Sequence, residues 1–260
     1  MATDHPPSSS VVPAARSGPP GCGNGGWVCG LLAERVDALS AATDDLPAVQ
    51  VRLSAPTPVE TPLRWEVDGE AGDADVSVRL LDGETLIGSA RRAPAPALTV
   101  PSPVDLATAR QAAADCDITS HPYPGCYVCG PDAADGLHIY AGSVPSTSVH
   151  AATVTLPDEG LPPVLAALDC PGAFAVGFGE DTLLLGTFTA QVLADVPRER
   201  ELVVMAWDEG REGRKRHCGT ALLDGGEVLA QAAATWIVVT RETIPGTAPA
   251  GSAATGREGS

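Results

Sequence analysis

The stretch GNGGWVCGLLAERV, residues 23 to 36, sets two glycines directly before an apolar run that reads as a helix. Glycine costs roughly 1 kcal/mol against alanine inside a helix. Accepting that cost twice points to backbone N–H groups that must stay bare, or to a helix entry packed too tightly for any side chain. Asn24, just before them, is a strong N-cap residue. A second group, Cys116, His121, Cys126 and Cys129, is spaced C-x4-H-x4-C-x2-C. These four soft ligands within 14 residues would suit tetrahedral zinc. The spacing fits no standard finger, so two small buried thiols in a tight turn are the plainer alternative, with redox pairing as a third. A third group is basic: Arg211, Arg214, Lys215 and Arg216 crowd one turn. They read either as a solvated hairpin tip or as a local phosphate contact.

The elements that must position these groups follow from periodicity. Val49, Val51 and Leu53 alternate as a strand with one buried face, and PLRWEV (62–67) follows. DVSVRLLDGETLIGSARR (75–92) reads as two strands around Asp82-Gly83, a hairpin signal. Further strands are expected at 137–142, 148–156, 182–196, 200–210 and 215–239, the last region turning at Asp224-Gly225-Gly226. A second helical run, LPPVLAALDCPGAFAVGFG, covers 161–179. The two halves resemble each other. VRLLDGETLIGSA (78–90) matches TALLDGGEVLAQA (220–232), and each half runs helix, strand, strand, hairpin. This is an internal duplication of domain size.

Composition narrows the class. The chain has 260 residues and a formal net charge of −17, a surface that disfavours nucleic acid and anionic membranes. No apolar run reaches the roughly 20 residues needed to span a bilayer. The start lacks a basic segment followed by an apolar one, so no signal peptide is expected. A soluble, cytoplasmic protein whose seven cysteines are mostly reduced is the expectation. Residues 1–20 and 241–260, rich in Pro, Ser, Ala and Gly, read as poorly ordered tails. Between them lie an N-terminal half (21–92), a Pro-rich linker (93–115) and a C-terminal half (116–240).

A helix followed by long antiparallel strands suggests a sheet curved around a central helix. With GNGGWVCGLLAE, LPPVLAALDCPG and YPGCYVCGPDAADGLHIY, the chain resembles the hotdog-fold thioesterases, acyl-CoA thioesterase II-like families among them. The implied fold is α+β, a double hotdog: two curved antiparallel sheets, each wrapping a central helix, as a pseudo-dimer in one chain. The implied activity is hydrolysis of an acyl-CoA or acyl-carrier-protein thioester, with coenzyme A as part of the substrate and no other cofactor. Hotdog domains often pair further, so a homo-oligomer is implied as well.

The resemblance also assigns roles. The family's central helix opens with His-Gly-Gly, whose N–H groups polarise the thioester carbonyl; here Asn24, Gly25 and Gly26 occupy those places. A helix start has unpaired donors and partial positive charge, suited to an oxyanion. The second helix begins Leu161-Pro162-Pro163, and proline has no N–H to give. Its body carries Asp169, where the family keeps its catalytic carboxylate. One composite site therefore joins Gly25 and Gly26 to Asp169, while Pro162, Pro163 and Glu34 make a degenerate counterpart. Asp169 has a structural alternative, bonding backbone or an arginine near Pro171, and Glu34 reads as a solvated partner for a basic neighbour. Thr187, Thr189 and Gln191 are expected to orient water, and Arg211, Arg214 and Arg216 to meet the CoA phosphates. Gln231 is out of register for the Gln that the family places beside its Asp. Two other functions stay open: a non-catalytic acyl-ligand or protein-binding module, and an acyl-thioester hydratase or dehydratase. The latter typically pairs a His with an acid, and no His stands near either helix start.

Overall fold

The computed structural model describes residues 7–119, 121–157, 160–240 and 244. Two helices of similar length dominate the interior, α1 (Gly25–Leu39) and α3 (Leu161–Ala175). α1 starts where Asn24 turns out of the helical region and its side chain accepts from the Trp27 N–H at 2.9 Å. α3 starts after Gly160, whose positive φ of 88° suits glycine, with prolines in the first turn where no N–H is needed.

The two helices pack directly on each other, antiparallel. Gly26 faces Asp169, Gly30 faces Pro162, and Glu34 reaches Leu161. A Cβ at Gly26 would sit 2.4 Å from Asp169 Cβ, and one at Gly30 would sit 2.2 Å from Pro162 Cα. The glycine-rich start of α1 is thus required by close helix–helix approach, whatever else it does.

All strands join one eleven-stranded antiparallel sheet. They are β1 (Ser9–Val11), β2 (Ala48–Leu53), β3 (Pro62–Asp68), β4 (Ser77–Asp82), β5 (Thr85–Ala93), β6 (Gly142–Ser143), β7 (Val149–Thr155), β8 (Leu183–Val192), β9 (Glu201–Glu212), β10 (Lys215–Asp224) and β11 (Glu227–Val238). The spatial order is β1-β3-β4-β5-β2-β8-β11-β10-β9-β7-β6. Outward from the β2–β8 junction the order is β2, β5, β4, β3, β1 on one side and β8, β11, β10, β9, β7, β6 on the other. The two hairpins carry the same irregularity at matching residues, a register shift between Leu80 and Leu81 and another between Leu222 and Leu223. Both turn through glycines of positive φ, Gly83 in one and Gly225 and Gly226 in the other.

Alternation sets which side chains face the helices. Val49, Val51, Leu80 and Phe188 point into the main core with Val28, Leu32, Val36, Leu165 and Leu168. β9 is apolar on both faces. Leu202 and Val204 join that core, while Val203, Met205 and Trp207 join a second cluster on the opposite face. That outer cluster is closed by helix α2 (Leu106–Ala114) through Ala109 and Ala112, and by Leu98, Val100 and Val104. A strand covered on both sides has no polar face to show, which explains the unbroken run LVVMAW.

Three sequence expectations change. The tail expected through residue 20 is structured from residue 7: β1 pairs with β3, and Val12 is fully buried in the core. A three-residue strand is too short to show periodicity. The linker 93–115 contains α2, hidden in sequence because its buried face is only alanine. Residues 137–141, read as strand, are not part of the sheet: His138 takes a positive φ of 50°, and the N–H groups of Leu137 and Ile139 bond to the carbonyls of Tyr127 and Val128. Of the expected tail 241–260, all but Ile244 lies outside the described residues, and Ile244 is buried. No helix among the described residues is long and apolar enough to cross a membrane.

Candidate active site

The start of α1 and the middle of α3 meet at the floor of a cavity of about 310 Å3. Its wall is largely apolar, built by Leu53, Phe178, Leu185, Trp236, Ile237 and Ile244. Gly25, Asn24, Asp169, Cys126, Cys129 and Cys170 form its polar end.

Asp169 is 1% exposed. Its Oδ2 accepts from the Gly26 N–H at 2.8 Å and from Asn24 Nδ2 at 3.1 Å. Its Oδ1 is buried and has no hydrogen-bond partner among the described residues. Burial is the main reason its pKa is raised to about 7; the Gly26 N–H opposes the rise, Cys126 adds to it, and Asn24 opposes it. Asn24 ties the site together. Its Oδ1 caps α1 through the Trp27 N–H, which fixes the amide's orientation. Its Nδ2 then points at Asp169 Oδ2 and at the sulfurs of Cys170 (3.7 Å) and Cys126 (3.9 Å).

The first turn of α1 has few donors to spare. The Val28 N–H bonds to the Asn24 carbonyl, Trp27 to the Asn24 side chain and Gly26 to Asp169. The Gly25 N–H is the one with no partner among the described residues, and Gly25 lines the cavity. Its own Cβ position lies 3.5 Å from Asp169 Oδ2.

Cys126 and Cys129 sit in the loop before β6. That loop is held by the Tyr127 N–H on the carbonyl of Ser17, in the segment before α1 (2.7 Å), and by the edge-on packing of Tyr127 against Trp27 of α1. The Cys126 and Cys170 sulfurs are 3.8 Å apart, and the three sulfurs of Cys126, Cys129 and Cys170 lie within 4.8 Å of one another. The Cys129 thiol, then the Cys170 thiol, hold the Cys126 pKa well below its ordinary value against the effect of burial.

No family model and no curated protein matches the sequence. Solved structures do match. A protein of Thermobifida fusca, provisionally named a thioesterase II, superposes with a TM-score of 0.61 at 15% identity, over 90% of this chain and 93% of its own. A protein of Novosphingobium aromaticivorans, provisionally named a thioesterase, gives 0.60 at 14% identity, over 91% and 100%. A conserved protein from Alicyclobacillus acidocaldarius, described as having a hot dog fold, gives 0.52 at 15%, over 89% and 92%. This chain has the hotdog fold. At such identities the likeness carries the fold alone.

The hotdog scaffold brings together Asn24, Gly25, Gly26 and Asp169, four residues singled out in the sequence. It leaves others apart. Thr187, Thr189 and Gln191 alternate with Phe188 and Ala190, which face the core, so they stand on the outer face of the sheet. There Thr189 accepts from Gln50 and Gln191 accepts from Gln231. None of the three lines the cavity, which corrects the expectation that they orient water. The basic residues lie in the β9–β10 hairpin. Arg211 pairs with Asp208 (3.7 Å) and Arg216 with Asp181 (2.8 Å), while Arg214 has no carboxylate within ion-pair distance among the described residues. The proposed ligand set Cys116, His121, Cys126 and Cys129 does not assemble. His121 Nδ1 accepts from the Tyr123 N–H and its ring packs on Phe178, and Cys116 closes the end of α2. Cys170 takes their place beside Cys126 and Cys129. It stands 44 residues from Cys126, so no spacing rule could have joined them.

Glu34 is also corrected. Its Oε1 accepts from the Leu161 N–H at 2.8 Å, at the start of α3, rather than pairing with a basic group.

Proposed function

We propose that this protein is a thioester hydrolase of the acyl-CoA or acyl-carrier-protein type, with its site at Asp169, Asn24 and Gly25. We read the chain as a double hotdog, each half standing in for one subunit of a dimer, because strand order and hairpin irregularities repeat about the β2–β8 junction. The observation that carries the activity is Asp169 Oδ1, a buried carboxylate oxygen in an apolar cavity beside the Gly25 N–H of a helix start, neither of them with a partner among the described residues.

In this reading the acyl chain lies along the apolar wall and the thioester carbonyl turns its oxygen to the Gly25 N–H. Asp169 Oδ1 takes a proton from a water molecule as that water attacks the carbonyl carbon. The tetrahedral oxyanion is held by the Gly25 N–H and the positive end of α1. The carbon–sulfur bond then breaks, and the proton passes from Asp169 to the leaving thiolate, giving acid and free thiol. The Arg214 turn supports a CoA-sized substrate: its backbone carbonyl accepts from Val238 N–H, between Ile237 and Val239 of the cavity wall. Arg214 is the residue we assign to a phosphate.

A second reading, an acyl-binding module without turnover, is favoured by one observation. The Gly26 N–H, an expected oxyanion donor, is already taken by Asp169. The test is a panel of short, medium, long and aromatic acyl-CoAs, following free thiol, with Asp169→Asn beside the wild type. Hydrolysis that falls at least about 100-fold in the variant is the expected result. A folded wild type that hydrolyses none of them, yet melts higher with an acyl ligand, would establish the binding module instead.

A further inference from the structure

Hydrolysis as described gives no task to Cys126, Cys129 and Cys170, yet these three thiols converge on one point. We propose that they bind one zinc ion as three thiolates, with the fourth coordination position open to the cavity. The proposal rests on the cysteines and is independent of the hydrolytic reading.

Four features support it. The first is distance. With zinc–sulfur bonds of about 2.3 Å, the edge of a tetrahedron is about 3.8 Å. The Cys126 and Cys170 sulfurs are 3.8 Å apart, and Cys129 is inside the same 4.8 Å circle. The second is the donor beside the sulfurs. Asn24 Nδ2 points at both Cys126 Sγ (3.9 Å) and Cys170 Sγ (3.7 Å). An amide donor so placed suits thiolates held on a metal.

The third is rigidity. The Cys126–Cys129 turn is closed by the Gly130 N–H on the Cys126 carbonyl at 2.7 Å. A Cβ at Gly130 would sit 2.3 Å from the Pro124 carbonyl oxygen and 2.4 Å from Cys126 N, so the glycine is what permits the turn. Cys170 is fixed on α3. The fourth is access, since all three cysteines line the cavity. An ion has an entry path and a coordination position to offer water or a ligand.

The chemistry balances. Three S–H groups release three protons to solvent as three zinc–sulfur bonds form, so uptake is weaker at lower pH. The bound unit carries a net charge of −1, toward which the Asn24 amide donates. Thiolate-rich sites select zinc over magnesium or calcium.

The test uses the full chain, kept reduced and stripped of metal with a chelator, then titrated with Co2+. Expected are thiolate-to-cobalt charge-transfer bands that saturate at one ion per chain with the intensity of three thiolates, and that Zn2+ abolishes by displacement. Cys170→Ser should lose about a third of that intensity or all binding, and Cys116→Ala and His121→Ala should lose none. X-ray absorption of the zinc form, which needs no variant, should count three sulfur neighbours at about 2.3 Å. Fully reduced protein that gives no saturable bands overturns the proposal. So does a sulfur count other than three, or binding that survives Cys170→Ser unchanged.

Discussion

The helix pair has two ends built on one plan and tuned to opposite results. At one end a carboxylate on α3, Asp169, accepts from a backbone N–H in the first turn of α1. At the other, a carboxylate on α1, Glu34, accepts from a backbone N–H at the start of α3. The Asp169 end is closed over by the loop before β6 and by β8 and β11, and it holds a buried oxygen without a partner among the described residues. The Glu34 end opens to solvent between Asp37, Arg198 and the exposed Val192 and Leu193. Proline at the start of α3 removes two donors there, while the Gly25 N–H at the start of α1 has no partner among the described residues. The same carboxylate-to-helix bond thus occurs at both ends of the helix pair, and only the surrounding burial separates a candidate catalytic group from a cap.

The contrast can be broken most severely through the glycines that let the helices touch. Gly30→Ala puts a methyl into Pro162 and should lower stability by about 3 kcal/mol. Gly25→Ala, whose nearest neighbours are the flexible Leu185 side chain at 3.1 and 3.2 Å, should change stability by less than about 1 kcal/mol, because alanine's better helix propensity offsets the shift of Leu185. Urea unfolding of both variants measures this; equal losses would mean that the helix contact is not what demands glycine at position 30.

Next in size is the chemistry. Asp169→Asn should lower kcat/KM for acyl-CoA hydrolysis at least 100-fold, about 2.7 kcal/mol in barrier, while Glu34→Gln should stay within about twofold. Comparable losses in the two variants would make both ends active and end the asymmetry.

Asn24→Ala removes the α1 cap and the amide that steers Asp169. A stability loss of about 1–2 kcal/mol is expected, with a fall in activity beyond what folding explains. A variant with full kcat at a temperature where it is folded would reduce Asn24 to a cap. The smallest effect is expected from Glu34→Ala, about 1 kcal/mol from the stranded Leu161 N–H, with Glu34→Gln milder because it keeps an acceptor. Equal melting temperatures for Glu34→Ala and Glu34→Gln would deny that bond its role.

Much of this plan was legible beforehand, for definite reasons. The Asp82-Gly83 and Asp224-Gly225 turns declare themselves because positive φ at the turn demands glycine. Both long helices followed from their apolar runs, and the pairing of Asp169 with the glycine start of α1 followed from the resemblance to hotdog thioesterases. The outward face of Thr187, Thr189 and Gln191 did not, although their alternation with Phe188 was visible; the functional resemblance outweighed the pattern. β1 was hidden by its three-residue length, and α2 by a buried face made only of alanine.

The amino-acid order alone determined the long strands, the hairpin turns and the two candidate helix starts, because turn chemistry and periodicity act over a few residues. Which carboxylate is buried, that Gly26 bonds to Asp169 rather than to a ligand, and that Cys170 completes a trio with Cys126 and Cys129 were decided only in three dimensions. Desolvation and sulfur–sulfur distance are set by what the fold places around a residue, and neither leaves a mark at any fixed spacing along the chain.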